Sequence, residues 1–343
     1  MSRITLKQIA ELAGVHKSTV DKVIHNRPGV SDAKRQQIRK LLDEYGYESN
    51  PLAKALNYQK NKMTVAVVIP EVDAQPFLRE GIELVQQDFN SFNVEVSYRT
   101  MPFSDAEGQA RCLRGLAKEG VTGVVLLPIE SPAVVAALEE LDKAGIPVVI
   151  VNSDLENAPH LCYVGQDMEQ SGQVAARLFE LWLPQGGSLG IVSSRNMRSV
   201  KQREHAFLHY LPTRRAPLTV QEAVDIHETP EDAYQKTIDL LARHPELDGL
   251  FLTCGRVADI CRAVRDSGRT DDLVVISYER YPEIVSLLEK GEIACTLSGD
   301  LFNQGRLAMR LLFEYVIYEQ KPQKKHYFTK NEILIRENAS RRE

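Results

Sequence analysis

The stretch "TLKQIAELAGVHKSTVDKVIHNRPGVS", Thr5 to Ser31, decides the architecture of the first domain. Thr5 and Gln8 have the spacing of a capping box, so they predict the start of a helix that ends at Gly14. A second helix is expected to begin at about Lys17 and to end before "NRPG", which breaks helices. Two short helices joined by a tight turn form a helix-turn-helix pattern.

A third helix and a linker complete this first domain. Ser31 is expected to cap the third helix, apolar residues recur at helical spacing from Ile38 to Tyr45, and Gly46 is a stop signal. The segment "NPLAKALNYQKNKM", which begins at Asn50, is too short to be a stable helix alone. It reads as a linker that folds on contact.

Charge is distributed unevenly along the chain. Residues 1–62 contain twelve Lys or Arg and six Asp or Glu, a net charge of +6, although the whole 343-residue chain has a formal net charge of -5. The remainder therefore has a net charge of -11. A basic domain on an acidic body indicates that the basic domain meets a polyanion.

The second helix divides into two faces at ~100° per residue. Val20, Val23 and Ile24 fall on the packing face, whereas Lys17, Ser18 and Lys22 face outward. Such a polar face is often only solvated, but the helix-turn-helix spacing, the local charge and the following linker together favour a role in binding. In this motif the second helix enters the major groove of DNA, and residues near its start meet base edges.

Asp21 is a carboxylate on that same outward face. Three interpretations stay open: pairing with Lys17 four residues earlier, accepting a hydrogen bond from a cytosine amino group, or rejecting wrong base sequences. Pairing is the simplest of the three, because helix pairs at this spacing are common.

The quoted stretch, followed by "YGYESNPLAKAL", resembles the DNA-binding head and hinge of the lactose repressor/galactose repressor (LacI/GalR) family over the first 60 residues. The resemblance implies a homodimer whose second helices lie in successive major grooves of a pseudo-palindromic operator. It also implies hinge helices in the minor groove, where a leucine wedges into the central base step. The residues that it assigns to DNA binding are Thr5, Leu6, His16, Lys17, Ser18, Asp21, Lys22, Asn26, Ser31, Asn50, Ala53 and Leu56.

Within that set, Leu56 matches the wedge, and four residues match positions that contact phosphates: Thr5, Asn26, Ser31 and Asn50. The chain departs from the family at three positions. Members commonly have Ser at the positions of His16 and Asp21, and Arg at the position of Lys22. The operator sequence of a relative is therefore not expected to apply here.

From Met63 onward, apolar runs alternate with amphipathic helical stretches. Eight such runs predict strands: "TVAVVIP", "VEVSYR", "GVVLLP", "PVVIVN", "SLGIVSS", "GLFLTC", "LVVISY" and "ACTLSG". This alternation predicts an α/β body with parallel sheets covered by helices on both faces. The length of the region favours two lobes over one.

This region resembles ribose-binding-type periplasmic binding proteins (type I), which have two Rossmann-like lobes joined by three crossovers around a cleft. The resemblance implies three units: a small all-α helix-turn-helix head at residues 1–49, a hinge at residues 50–62 and an effector-binding domain at residues 63–343. Lobe one is expected at residues 63–163 and 299–322, and lobe two at residues 164–298 and 323–343. The helix "FLREGIELVQQDFN" is expected, by the same resemblance, to form part of the dimer interface.

Ligands of parallel sheets bind at the carboxyl ends of the strands, so the residues after each run are the candidates. An arginine among carboxylates and amides matches the hydroxyl groups of a sugar or polyol. Each residue could instead be a strand-end cap or a surface group, since polar residues are common in loops. The candidates are Gln75, Phe77, Asn152, Asp154, Asp167, Arg203, Cys254, Arg256, Glu279 and Asp300.

Departures from sugar-binding relatives argue against a standard pentose as the ligand. Relatives usually have Asn then Asp where this chain has Cys254 and Gly255, Asp in place of Glu279, and often Gln in place of Gly299. A ring of the ligand would have to stack on Phe77 or Tyr278.

Several classes of function lack their sequence signals. No phosphate-binding glycine motif, catalytic triad spacing or metal-binding cysteine pattern occurs, so neither an enzyme nor a cofactor is predicted. The five scattered cysteines predict mostly buried, reduced thiols, and the charged start and lack of a long apolar run predict a cytoplasmic protein without a membrane partner. Two alternatives remain: a regulator that responds to a partner protein or corepressor, and a sugar-processing enzyme fused to a DNA-binding head.

Overall fold

The computed structural model of the protein describes residues 4–24, 29–45, 62–89, 92–195, 197–213, 215–227 and 229–340. Its first domain is helical, as predicted. The helices are α1 (Leu6–Ala13), α2 (Lys17–Ile24) and α3 (Asp32–Glu44).

Local hydrogen bonds explain where α1 begins and ends. The backbone N–H of Thr5 donates to Gln8 Oε1 (2.8 Å), and the N–H of Gln8 donates to Thr5 Oγ1 (3.4 Å), so the predicted capping box is confirmed. Gly14 ends the helix in the left-handed conformation, with φ 63°. Lys34 of α3 donates to the carbonyl of Ala13 (2.8 Å) and ties the third helix to the end of the first.

Ser31 occupies the N-cap position of α3, but its side chain makes no capping hydrogen bond. The predicted cap is therefore present only in its backbone conformation, since the Ser31 carbonyl accepts from the N–H of Arg35 (2.8 Å). The three helices share one small apolar core, which consists of Ile9, Ala10, Ala13, Val20, Val23 and Ile38.

The body contains two six-stranded sheets. In lobe one all neighbouring strands are parallel, in the order β11-β5-β4-β3-β1-β2. These strands are β1 (Met63–Val68), β2 (Val94–Arg99), β3 (Gly123–Leu126), β4 (Val148–Val151), β5 (Cys162–Gly165) and β11 (His326–Phe328).

Lobe two repeats this strand order as β12-β10-β9-β8-β6-β7, and only its last strand is antiparallel to its neighbour. These strands are β6 (Gly187–Ser193), β7 (Leu218–Asp225), β8 (Leu247–Leu252), β9 (Val274–Tyr278), β10 (Cys295–Ser298) and β12 (Glu332–Leu334).

Nine helices of the described body connect the strands. They are α4 (Gln75–Asp88), α5 (Ala106–Glu119), α6 (Pro132–Lys143), α7 (Met168–Trp182), α8 (Arg198–Tyr210), α9 (Pro230–Arg243), α10 (Val257–Asp266), α11 (Pro282–Lys290) and α12 (Leu301–Tyr318). Helices cover both faces of the sheets, so the central strands β3, β4, β5 and β10 are wholly buried. All eight strands predicted from apolar runs are present.

The C-terminal segment corrects the predicted division of the lobes. The sequence assigned residues 323–343 to lobe two, but β11 pairs with β5 in lobe one, and only β12 joins lobe two. The sheet of lobe one also keeps β5 through Gly165, two residues beyond the expected boundary. The physical reason is that His326–Phe328 and Glu332–Leu334 each add a strand to a different open sheet edge.

Three crossovers join the lobes, at residues 166–167, 299–300 and 329–331. In both sheets the strand order reverses beside the first strand, β1 or β6, which makes the carboxyl ends there the expected place for a ligand. Four of the five cysteines are buried and Cys112 is half-buried, as the sequence predicts. No helix in the described residues combines the length and apolar character needed to span a bilayer.

Candidate nucleic-acid interface and interlobe cavity

The outward face of α2 is the candidate nucleic-acid interface. Lys17, Ser18 and Lys22 are exposed, whereas Val20 and Val23 pack into the head core, as the helical periodicity predicts. The exposed groups are a cation and a hydroxyl at the start of the helix, on Lys17 and Ser18, and a second cation in its last turn, on Lys22. They have the chemistry to donate to base edges and phosphates.

His16 has a local role that the sequence did not predict. Its Nδ1 atom accepts from the backbone N–H of Ser18 (3.3 Å) and lies 2.9 Å from Ser18 Oγ. The imidazole therefore satisfies one of the unpaired N–H groups at the start of α2 and fixes the Ser18 side chain. Asp21 is half-buried on the same helix.

The remaining residues of the predicted interface are distributed as follows. Thr5 is exposed and committed to its capping box, Leu6 packs partly against the head core, and Ser31 is exposed. Asn26, Asn50, Ala53 and Leu56 lie outside the described residues.

A cavity of about 220 Å³ lies between the two lobes. Five predicted effector residues line it: Asn152, Arg203, Cys254, Arg256 and Glu279. Further lining residues are Val72, Ala74, Phe103, Met168, Met197, Ser199, Val200, Thr253, Gly255, Tyr278, Tyr281 and Ile284, with Glu71 and Asp73 exposed at the rim.

Arg203 is the central cation of this cavity and is 6% exposed. Its guanidinium lies over the ring of Tyr278, 3.6 Å from the centroid, and its Nη2 donates to Gln166 Oε1 (2.9 Å). Burial raises the pKa of Tyr278 to about 12, so the phenol stays neutral beneath the cation. The Nε atom of Arg203 is buried without a hydrogen-bond partner.

Glu279 brings a carboxylate into the same cavity. Its Oε2 atom is buried without a hydrogen-bond partner. Burial raises the pKa of this carboxyl, and the positive charge of Arg203 opposes that rise. The cavity thus contains an N–H and a carboxylate oxygen, both unsatisfied, on residues of opposite charge.

Asn152 and Glu279 occupy equivalent places in the two lobes. Asn152 follows β4 with φ 69°, and Glu279 follows β9 with φ 72°. In each lobe a hydroxyl on the neighbouring strand donates to the carbonyl of this residue: Tyr163 to Asn152 (2.9 Å) and Thr296 to Glu279 (2.8 Å). Positive φ costs free energy in residues other than glycine, and such conformations concentrate at functional sites.

Asp167 and Asp300 are also equivalent, and both are helix caps. The Asp167 carboxylate accepts from the N–H of Gln170 (2.9 Å), and that of Asp300 accepts from the N–H of Asn303 (3.2 Å). Neither residue lines the interlobe cavity. Each therefore has a structural role at the start of the helix that follows a crossover, and Asp167 also lines a larger groove between the lobes. Their assignment to effector binding stays a prediction.

Gln75, Phe77 and Asp154 are the other predicted residues that lie away from this cavity. Gln75 donates to the Ile69 carbonyl (3.3 Å) and to Thr100 Oγ1 (3.1 Å). Phe77 stacks on Tyr281 of lobe two, with ring centroids 5.5 Å apart, so its ring joins the lobes. The reason is that α4 begins at Gln75, which places both residues in the helix and not in the preceding turn.

Asp154 lines a second, larger groove of about 740 Å³ between the lobes. Its carboxylate accepts from the N–H of Leu155 (2.7 Å) and lies 3.2 Å from His326 Nε2. At this groove two ion pairs link the lobes: Lys201 with Glu130 (3.0 Å) and Arg198 with Glu156 (2.6 Å). In the described parts of the chain, no group of three His, Cys, Asp or Glu side chains is placed to hold a metal ion.

A helix-turn-helix head followed by a two-lobed domain with a buried polar cavity defines a class: DNA-binding regulators with a small-molecule-binding body. Comparison with known families agrees. Residues 5–50 match the model of bacterial regulatory proteins of the lacI family, and residues 65–320 match the periplasmic binding protein domain. The chain belongs to the lacI family of transcriptional regulators, with a periplasmic-binding-protein-like body.

Individual relatives extend over most of the chain. It is 22% identical over 342 residues to the ribose operon repressor of Halalkalibacterium halodurans, covering 98% of this chain and 97% of the relative. It is 29% identical over 294 residues to the transcriptional regulator CelR of Thermobifida fusca, covering 81% and 82%. A solved solute-binding protein from Burkholderia graminis, in complex with D-arabinose, has the same fold: TM-score 0.75, 18% identity, 81% of this chain and 96% of that chain.

Proposed function

We propose that the effector is a neutral sugar or polyol that binds in the interlobe cavity without turnover and changes the affinity of the protein for its operator. One observation carries this proposal: Arg203 Nε and Glu279 Oε2 are both buried and both lack a partner. A hydroxyl group accepts from the first and donates to the second, so a polyhydroxylated molecule satisfies both. Unsatisfied buried groups are costly, which gives the ligand its binding free energy.

The charges around the cavity favour a neutral ligand. Arg203 and Arg256 are balanced by Glu279 together with Glu71 and Asp73 at the rim. A phosphate or carboxylate on the ligand would meet these three carboxylates. A volume of about 220 Å³ corresponds to roughly seven water molecules at ~30 Å³ each, which suits one monosaccharide ring or inositol.

The names of the relatives agree with this class of effector. One is a ribose operon repressor, and the solved structure has D-arabinose bound. Cys254, Gly255, Glu279 and Gly299 depart from the usual sugar-binding pattern, so ribose and arabinose are starting points for a screen and not the expected optimum.

The response to the ligand requires that the two lobes bind it differently when open and closed. By resemblance to the family, closure repositions the hinge at residues 50–62, whose Leu56 wedges into the operator while Asn26, Asn50 and Ala53 contact DNA. A protein that binds an operator acts in the cytoplasm, where that DNA lies.

We also propose a homodimer through α4 and the edge strand β2. On α4, Leu84 is 39% exposed, and Arg79 lies over the ring of Tyr98 on β2, 4.3 Å from the centroid. Arg79 is itself about half exposed. A second copy packed against this surface would cover the leucine and the stem of Arg79.

A screen tests the proposed function. Thermal unfolding of the full chain is measured with neutral pentoses, hexoses and inositols and with their phosphates, and each hit is tested on an operator selected from random duplex DNA. We expect a neutral compound to raise the melting temperature, weaken or strengthen operator binding and be recovered chemically unchanged. Recovery of a converted product would support the enzyme alternative, and a response only to sugar phosphates would overturn the neutral-ligand proposal. A lack of response to every compound would favour a partner protein.

A further inference from the structure

The third crossover is tied to the other two by a single residue. The backbone N–H of Thr329 donates to the carbonyl of Gly165 (2.9 Å), and its Oγ1 donates to the carbonyl of Gly299 (2.6 Å). Gly165 directly precedes the first crossover, and Gly299 lies in the second. Thr329 is therefore a point at which all three crossovers are connected.

Gln166, in the first crossover, links this junction to the cavity. It is 1% exposed, and its Oε1 accepts from Arg203 Nη2 (2.9 Å). At the other end of the same amide, Nε2 donates to Asn331 Oδ1 in the third crossover. Asn331 Nδ2 in turn donates to Gln170 Oε1 on α7 (3.1 Å). A continuous chain of hydrogen bonds thus runs from the cavity arginine to the third crossover.

We propose that Gln166 is a positioning residue that couples the orientation of the Arg203 guanidinium to the third crossover. The proposal rests on the proposed function only in assigning Arg203 to the effector. The guanidinium is planar and its central carbon lies over the Tyr278 ring, so a ligand that bonds to Nε also fixes the direction of Nη2. Because Gln166 is almost fully buried, a shift of Nη2 moves its amide or leaves a buried group unpaired, and either outcome reaches Asn331.

This coupling predicts a response at a distance that can be measured without any ligand. The probe is hydrogen exchange of the Thr329 amide in the full chain, followed by NMR or by mass spectrometry of the peptide that contains it. We expect Arg203→Ala and Gln166→Leu each to accelerate this exchange about fivefold, the factor that matches the loss of one hydrogen bond worth ~1 kcal/mol. In the double variant the Thr329 amide should exchange no faster than in Gln166→Leu alone, because that substitution already breaks the chain of hydrogen bonds.

Conservative and matched variants separate coupling from damage to the fold. Gln166→Glu keeps the acceptor for Arg203, and the amides of Asn331 and Gln170 turn to donate along the chain, so its exchange should stay near that of the unmodified protein. Gln109→Leu removes another wholly buried glutamine, which bonds Leu127 and Ile129 in lobe one, and should leave Thr329 unchanged.

Two results would overturn the proposal: unchanged Thr329 exchange in Arg203→Ala, or fully additive effects of the two substitutions. If Gln166→Leu does not fold, Asn331→Leu breaks the same chain at its partly exposed end and must give the same outcome. Neither result depends on whether a sugar binds. Failure of the sugar screen with a positive exchange result would reject the effector class and leave the coupling in place.

Discussion

The ammonium of Lys201, on α8 of lobe two, lies 3.0 Å from the carboxylate of Glu130, in lobe one. A second pair, Arg198 with Glu156, spans the same groove. These ion pairs hold the lobes together at the rim, while the rings of Phe77 and Tyr281 stack across the lobes elsewhere. In the described conformation, contacts between protein side chains join the two lobes.

Reversing one charge of this groove should open the lobes. Lys201→Glu replaces an attraction by a repulsion from Glu130. Lys201 is about half exposed, so the pair is worth at most about 1 kcal/mol, and the shift should shrink as salt is added. Small-angle X-ray scattering should show a larger radius of gyration at low salt. Lys290→Glu, at the far end of α11, is the matched control, and an equal change there would disprove a specific role for the groove.

The carboxyl of Glu279 should make effector binding depend on pH. Because the pKa of Glu279 is raised above the ordinary glutamate value of 4.5, its carboxylate takes up a proton at a higher pH than an exposed glutamate does. If its carboxylate accepts from a ligand hydroxyl, effector affinity falls as pH falls through the raised pKa. Titration calorimetry of a hit from the screen measures this slope. Glu279→Gln should bind more weakly and lose the slope, and a slope kept in that variant would assign it to another group.

Protein stability should follow the opposite trend over the same window. A group whose folded-state pKa is raised stabilises the folded protein below its unfolded pKa, and this contribution is lost as pH rises through the folded pKa. Charged groups that act on Glu279 and its neighbour Tyr281 include Arg203, Asp73 and Glu283. In Glu279→Gln, the free energy of unfolding should fall less between pH 4.5 and neutrality than in the unmodified chain. Denaturant titrations at several pH values provide the measurement.

The proposed dimer surface can be tested by substituting an exposed leucine that lies on it and comparing the result with the same substitution of an exposed leucine elsewhere. Leu84→Lys on α4 places a charge in an interface that would otherwise bury it, and should weaken dimerisation by on the order of tenfold, which is about 1.4 kcal/mol. Sedimentation velocity over a concentration series measures the change. Leu208→Lys, on α8 and 40% exposed, should have no effect. If both variants behave alike, the dimer lies elsewhere or does not form.

In the head, Lys22 should read a base. Its ammonium is exposed on the outward face of α2, so Lys22→Ala should relax preference at one operator position by about 1–3 kcal/mol. Binding selection from random duplex DNA measures this. An equal loss across all sequences would instead assign Lys22 to phosphate. Lys7→Ala on α1 is the control, and Asp21→Ser in the same selection tests whether the carboxylate affects specificity.

Most of the strands that the sequence predicted lie between helices and have nearly continuous apolar runs, although the edge strand β2 was predicted too. β7, Leu218–Asp225, was missed because it is an edge strand in which polar and apolar residues are mixed, with three of its eight residues exposed. The rule that ligands meet strand ends found Asn152, Cys254 and Glu279. The same rule applied to "IPEVDA" after β1 would have found Glu71 and Asp73, which line the rim.

Other features depend on distant residues and leave no local pattern. Gln166 became part of the site only because Arg203, 37 positions later, and Asn331, 165 positions later, fold against it. His16 and Asp167 have side chains that suit either binding or capping, and the structure shows that both accept from N–H groups at the start of a helix. Residue type alone does not separate these roles.

Asn152 and Glu279 make the two sides of the interlobe cavity chemically different. Their main chains bend in the same way, yet one lobe presents an uncharged amide and the other an acid. If the proposed effector binds between them, a ligand whose two ends differ would be held in one orientation, with its better hydrogen-bond donor toward lobe two. Exchanging the two side chains would turn the ligand end for end, while the backbone on which they stand keeps its shape.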